Sequence, residues 1–221
     1  MRLPVTWLKG LGLAALFILL PASAVPTVYR DWRLWCLFGL TILFIGSQPN
    51  LRQSKLGSEQ KTDEDRGTVT ILHVVGYATV LIPYGHFLWR ATNQVPCSVN
   101  GGYLSAIGAV CGAAGMILRA VAVRILGRWF THTVQVQTNQ NLVQSGPYRW
   151  IRHPSYTGAL LFFGTIPFLL CVWPWILVFW PLWFLAYRRR ITAEEGTMEK
   201  HFGQEYVAYK SRTWALFPYE Y

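Results

Sequence analysis

Residues 141–187 read NLVQSGPYRWIRHPSYTGALLFFGTIPFLLCVWPWILVFWPLWFLAY. A polar cluster, Asn141 to Tyr156, passes without a linker into a long apolar run, Thr157 to Tyr187. Trp173-Pro174-Trp175 interrupts that run. Proline has no N–H to donate and clashes with the preceding turn, so a helical hairpin fits better than one helix. Its arms are short, which predicts a hairpin that dips into a membrane and returns. Arginine and histidine at a membrane boundary are costly unless they reach water or serve a function. Gly146-Pro147 and His153-Pro154 impose defined turns, which can aim backbone N–H groups and side chains at a ligand.

The rest of the chain supports a membrane setting. It has 221 residues, 52% hydrophobic and only 14% charged, against about 25% charged in soluble domains. Eleven Trp and eleven Tyr suit many positions at a membrane–water interface. Upstream lie four more apolar runs, at Leu8–Ala24, Trp32–Ser47, Thr68–Trp89 and Gly101–Leu126. The first, ending in Pro21-Ala22-Ser23-Ala24, reads either as a retained span or as a secretory leader with a small-residue cleavage site. The fourth carries Gly108, Gly112 and Gly115, a small-residue face for close packing inside the bundle. Gln48 to Gly67 is a polar loop. Beyond the hairpin, Arg190 to Lys210 reads as a helix with Glu195, Met198/Glu199, Phe202, Tyr206 and Tyr209 on one face.

Charge orients this arrangement. With the tail cytoplasmic, fifteen Lys and Arg fall on its side and three (Arg30, Arg33, Arg90) on the other, the asymmetry of membrane proteins. The fold expected is therefore all-α: an integral membrane helical bundle of four spans, a C-terminal helical hairpin and a cytosolic C-terminal helix. The net charge of +10 then faces an anionic leaflet. Nucleic acid is not expected as a partner, since no basic–aromatic binding module is legible. Cys36, Cys97, Cys111 and Cys171 form no CxxC and flank no histidine, so neither a zinc site nor a disulfide framework is expected.

Leu142-Val143-x-Ser145-Gly146-Pro147-Tyr148-x-x-x-Arg152-His153-Pro154-Ser155-Tyr156-x-Gly158 is similar to the motif of the isoprenylcysteine carboxyl methyltransferase family. Past the hairpin, Arg190-x-x-x-Glu194-Glu195 and Phe202-Gly203-x-Glu205-Tyr206-x-x-Tyr209-x-x-Arg212 resemble that family's C-terminal pattern, in order and spacing. The resemblance covers about Gln137 to Pro218. It implies S-adenosylmethionine as methyl donor, the carboxylate of a prenylated cysteine as acceptor, and a cytosolic pocket closed by the C-terminal helix. Residues 1–126 would then hold the N-terminal membrane helices, with their polar loop near 48–67, and 127–221 the cofactor-binding catalytic core. It implies the endoplasmic reticulum membrane in a eukaryote, or the plasma membrane in a prokaryote. Partners would be prenylated protein C-termini or small prenylcysteines, within a lipid bilayer; the oligomeric state stays open.

The chemistry suits the residue types. A C-terminal carboxylate of pKa about 3.5 is already ionised at neutral pH, so no general base is needed and positioning dominates. Arg152 and Arg212 are the candidates to hold that carboxylate through two-pronged hydrogen bonds. Glu195 and Glu194 could bind the ammonium or ribose of the cofactor. His153, Tyr148, Pro154 and Tyr156 could line its pocket, with Leu142 and Val143 backbone groups at the adenine edge. Gln140 stands where family members often carry histidine; its amide can still donate and accept. Against these stand plainer readings. Arg149, Arg152 and His153 could be interfacial anchors, Glu194 and Glu195 could pair with Arg188 and Arg190 on a solvated helix, and Arg212 could complement a helix end. Another lipophilic acceptor, such as a phospholipid amine, and a catalytically silent membrane paralogue remain the alternative functions.

Overall fold

The computed structural model describes residues 5–46, 67–97, 101–131, 136 and 139–218, with Val5 and Thr6 by backbone alone. The expected polar loop lies outside the described residues apart from Gly67. Among the described residues the chain is helical, with no strand beyond one isolated bridge between Ile151 and Trp214.

Helix α1 (Val5–Ala14) widens through one π turn, Ala15–Leu19, into Leu20–Ala22. Two tyrosine hydroxyls tie this segment to its neighbours: Tyr29 Oη donates to Leu19 O at 2.7 Å, which also accepts from Ser23 N, and Tyr84 Oη donates to Ile18 O. Helix α2 (Trp32–Gly46) packs back along α1, burying Leu34 and Leu37. Helices α3 (Thr68–Thr92) and α4 (Gly101–Leu126) are the two described helices long and apolar enough to cross a membrane. At about 1.5 Å per residue each exceeds the ~30 Å hydrocarbon layer.

The glycine face on α4 is used within the chain, against helix α5 (Pro154–Leu169). A Cβ on Gly115 would lie 2.6 Å from Gly158 O, and one on Gly108 2.7 Å from Leu169 N. The two backbones are thus in contact along most of α5. Beside this seam Arg119, buried in α4, donates to Ser155 O at 3.1 Å, fixing the height of the His153–Pro154 corner at the start of α5.

The chain turns at Leu170–Trp175, where Cys171 takes a left-handed φ of 58° and Trp173–Trp175 forms a 3-10 turn. Helix α6 (Ile176–Phe202) then returns. Two expectations are corrected here. The hairpin does not dip and turn back short. Its turn lies level with the far ends of α3 and α4: Arg90, near the end of α3, donates to Cys171 O, and Ser105, early in α4, to Phe168 O at 3.2 Å. Nor are the second arm and the tail helix separate, for α6 runs unbroken through Arg188–Arg190 to Phe202. The break falls at Gly203 (φ 55°, ψ −128°), before a short α7 (Gln204–Lys210). Glycine alone occupies that region at little cost.

The cysteine expectation is also corrected. Cys97 and Cys171 form a disulfide with Cα atoms 6.0 Å apart, tying the α3–α4 loop to the hairpin turn across 74 residues. Spacing alone carries no signal for such a pair, because proximity arises only once α4 and α5 pack. Cys36 and Cys111 are free and half-buried, as expected of small apolar residues.

The seam sets a testable contrast. Gly158→Leu places a Cβ 2.8 Å from Arg119 N, and overpacking of this kind costs about 1–3 kcal/mol. Gly85→Ala, in α3 with nothing within 4 Å of the new atom, gains up to about 1 kcal/mol of helix propensity. Thermal unfolding in detergent should place the two variants on opposite sides of wild type.

Candidate active site

The end of the bundle where α5 begins and α6 turns polar is built from two returning stretches. In the first, Gly146 takes φ 59° and Pro147 starts a 3-10 turn, Gly146–Arg149. The chain then extends through Arg152 and His153 to Pro154, the first residue of α5. In the second, the segment after α7 lies alongside. Trp214 N donates to Trp150 O at 3.0 Å, Arg152 N to Trp214 O at 2.8 Å, and His153 N to Ala215 O at 3.1 Å. Thr157 Oγ1 reaches Leu216 O at 2.7 Å, and Tyr209 Oη reaches Tyr148 O at 2.7 Å.

Beneath this junction lies a buried ionic cluster. Arg152, its side chain 1% exposed, donates from Nε to Glu195 Oε1 at 2.7 Å. Its Nη1 donates to Lys210 O at 3.1 Å and to Thr213 O. Glu195 also receives Lys210 Nζ at 2.8 Å and lies 3.3 Å from His153 Nε2. Burial alone would raise the pKa of Glu195; hydrogen bonds from His153, Lys210 and Arg152, with the His153 charge, outweigh it and hold the value at about 2. The neighbouring Glu194 points elsewhere. It accepts from Tyr156 Oη at 2.6 Å, and that hydroxyl accepts from Arg190 Nε at 3.2 Å. His153 stands between the carboxylates, its ring stacked on Tyr156 at 5.4 Å and its Nδ1 3.9 Å from Glu194 Oε2.

A pocket opens against this wall. Of the residues singled out in the sequence, Gln140, Leu142, Val143, Tyr148, Arg152, His153, Tyr156 and Glu194 line it. Three do not. Pro154 is buried at the start of α5; Glu195 lies behind the wall in the ionic cluster; Arg212 is exposed and donates to Gln144 Oε1. Arg212 is nonetheless near the pocket, since the Gln144 it holds directly follows Val143 of the lining; burial pushes the Tyr209 phenol up to about 12, with the Arg152 and Arg212 charges offsetting part of it. Burial also raises Tyr148 and Tyr206, so all three remain neutral phenols able to donate hydrogen bonds. Phe130, Thr131, Asn141, Ser155, Thr197 and Met198 complete much of the wall. Met198, Tyr206 and Tyr209 share the helical face read from the tail, whereas nothing in the local sequence marked Phe130 or Thr131.

The donor set suits a cationic nucleoside–amino-acid cofactor: a carboxylate at Glu194 for an ammonium, an amide at Gln140, and aromatic rings at Phe130 and Tyr206 for a sulfonium. The void measures 80 Å³, less than the ~300–1,000 Å³ of sites for small organic ligands.

A helical bundle with two membrane-length helices and a small-ligand pocket at its polar end is the class that fold and site define. Comparison with known proteins sharpens it. Residues 107–200 match the isoprenylcysteine carboxyl methyltransferase family. The chain is 35% identical over 115 residues to a protein-S-isoprenylcysteine O-methyltransferase of Dictyostelium discoideum, covering 51% of this chain and 48% of the relative. With the enzyme of that name from Rattus norvegicus it shares 37% over 116 residues, 50% of this chain and 39% of the relative. A probable enzyme of that name from Oryza sativa subsp. japonica is 30% identical over 123 residues, 53% and 62% of the two chains. The matched parts thus span about two fifths to three fifths of these relatives. The solved structure of a eukaryotic intramembrane Ras methyltransferase, an isoprenylcysteine carboxyl methyltransferase, superposes with a TM-score of 0.63 at 22% identity over 95% of this chain and 74% of that one. The integral membrane helical fold is therefore shared along nearly the whole length.

The two glutamates should separate on mutation. Glu195→Ala leaves the Arg152 charge buried and unpaired, a loss of about 3–5 kcal/mol, whereas Glu194→Gln leaves the unfolding midpoint near wild type. Because its folded pKa is depressed, Glu195 contributes stability that is complete above about 4.5 and is lost as pH falls toward about 2. The acid-induced drop in melting temperature over that window should be shallower in Glu195→Gln than in wild type.

Proposed function

We propose that this protein is an S-adenosylmethionine-dependent methyltransferase that esterifies the C-terminal carboxylate of a prenylated cysteine. The observation that carries the reading is one pocket, at the polar end of membrane helices, lined by both Glu194 and Arg152, with Arg212 held beside its lining through Gln144. Glu194 and Gln140 would hold the polar ends of the cofactor, the aromatic wall its sulfonium. Bound there, the cofactor supplies an electrophilic methyl group. Arg212, exposed near the pocket, orients the acceptor carboxylate; Arg152, held rigid by Glu195, supplies fixed positive charge beside it. No proton need move, because the nucleophile is ionised before it arrives. Closure of the wall excludes water and strengthens these interactions.

The site end faces the cytosol in this reading, and the Cys97–Cys171 end faces an oxidising compartment. Two features support that orientation: the Lys and Arg asymmetry of the sequence, and a disulfide at the end away from the pocket. In a eukaryotic cell the endoplasmic reticulum membrane satisfies both.

The test is transfer of labelled methyl from S-adenosylmethionine to N-acetyl-S-farnesylcysteine in membranes holding the full chain, with the product scored as base-labile ester. Arg212→Ala should lower kcat/KM about 10- to 100-fold, the loss of a charge-assisted hydrogen bond, at unchanged melting temperature. Wild-type protein that binds the donor yet gives no ester would show that the acceptor is another lipophilic molecule.

A further inference from the structure

A second groove runs along α6 beside the cofactor pocket, with Thr197 on the wall of both. It is lined by Arg188, Arg189, Thr192, Gly196 and Lys200 of α6 and by Thr68 at the start of α3, with a volume of 680 Å³. Among the described residues no carboxylate lines it. Arg188 and Arg189 are exposed, and among the described residues neither is bonded to an acid; Arg188 rests over the Phe184 ring at 5.8 Å. A cleft lined by one sign of charge focuses its field on whatever enters.

The height of the groove says what that is. The apolar part of α6 ends at Tyr187, directly before Arg188, and the apolar part of α3 begins after Thr68. The two ends are level, since Arg190 Nη1 donates to Thr68 Oγ1 at 3.0 Å. Immediately toward the bundle's middle the surface is exposed and apolar, with Phe184, Leu185, Val74 and Tyr77 outward. A cationic cleft thus sits above a greasy face at the depth where acyl chains give way to headgroups. We propose that it binds the phosphate headgroup of an anionic phospholipid, with the acyl chains lying along Leu185 and Val74.

The test needs no enzyme assay, so it stands apart from the methyl-transfer reading. The purified full chain in neutral detergent is titrated with phosphatidylglycerol, with phosphatidylcholine of the same chain length, and with inorganic phosphate. Bound lipid is counted by native mass spectrometry and the melting temperature is followed. Phosphatidylglycerol alone should bind one-to-one and raise the melting temperature. At about a factor of five per cation, R188Q/R189Q should weaken that binding about 10- to 30-fold. Gly196 faces the groove with nothing within 4 Å of a new Cβ, so G196F blocks the site without changing charge and should abolish binding in a folded protein. Equal binding of phosphatidylcholine, an equal response to phosphate, or full binding by both variants would overturn the proposal. So would binding that appears only when Asp63, Glu64 and Asp65, just upstream of Thr68 in the chain, are neutralised, since the occupant would then be this chain's own acidic run.

Discussion

Glu195 is a carboxylate enclosed by the Arg152 guanidinium, the Lys210 ammonium and the His153 imidazole, which reach it from two separate stretches of the site end. Arg152 comes from the stretch before α5, His153 caps that helix, and Lys210 closes α7. Burying a lone carboxylate would be prohibitive, so α6 can present Glu195 inward only when the other segments are home. The converse holds for Arg152, whose remaining donors take the carbonyls of Lys210 and Thr213. The tail is thus tied to the membrane helices by charge as well as by the strand-like pairing of Trp214 with Trp150 and Arg152.

That cluster needs α5 at a fixed height against its neighbours, and the glycine seam provides it. Where Gly115 meets Gly158, the backbones touch and no side chain can act as a spacer. On the opposite flank, stacked rings continue from the pocket into the core: His153 on Tyr156, then Tyr187, Trp183 and Phe163, with centroids 4.5–5.4 Å apart. Trp183 Nε1 is anchored by Thr79 Oγ1 of α3 at 2.9 Å. Flat faces in register resist sliding, so the wall carrying His153 and Tyr156 is held from below.

Much of this was legible in the chain. α4 begins and ends at Gly101 and Leu126 as the apolar run does, and the hairpin turns at Trp173-Pro174-Trp175 because proline there leaves little choice. That Arg152, His153, Tyr156 and Glu194 would share one site was implied by the resemblance of the two motifs, and the structure brings all four to one pocket. What the sequence lacked was the direction of adjacent glutamates. Successive helical residues point about 100° apart, and only the arrival of Arg152 and Lys210 decides that Glu195 turns inward while Glu194 faces the pocket. The length of α6 was hidden by composition, since the arginines at 188–190 look like an ending although a helix can pass through them, two facing out and Arg190 inward to Tyr156 and Thr68. The cysteine pair was hidden because 74 residues separate its members.

That pair also bears on how the molecule is made. Cys97 emerges from the ribosome well before Cys171, so the bond must wait until the hairpin turn that carries Cys171 has been made and brought beside the α3–α4 loop. The bond can therefore close only late, over a bundle whose α4–α5 seam has already formed. A chain with α5 misplaced would keep two free thiols there, so the reactivity of Cys97 and Cys171 toward an alkylating reagent would tell finished chains from unfinished ones.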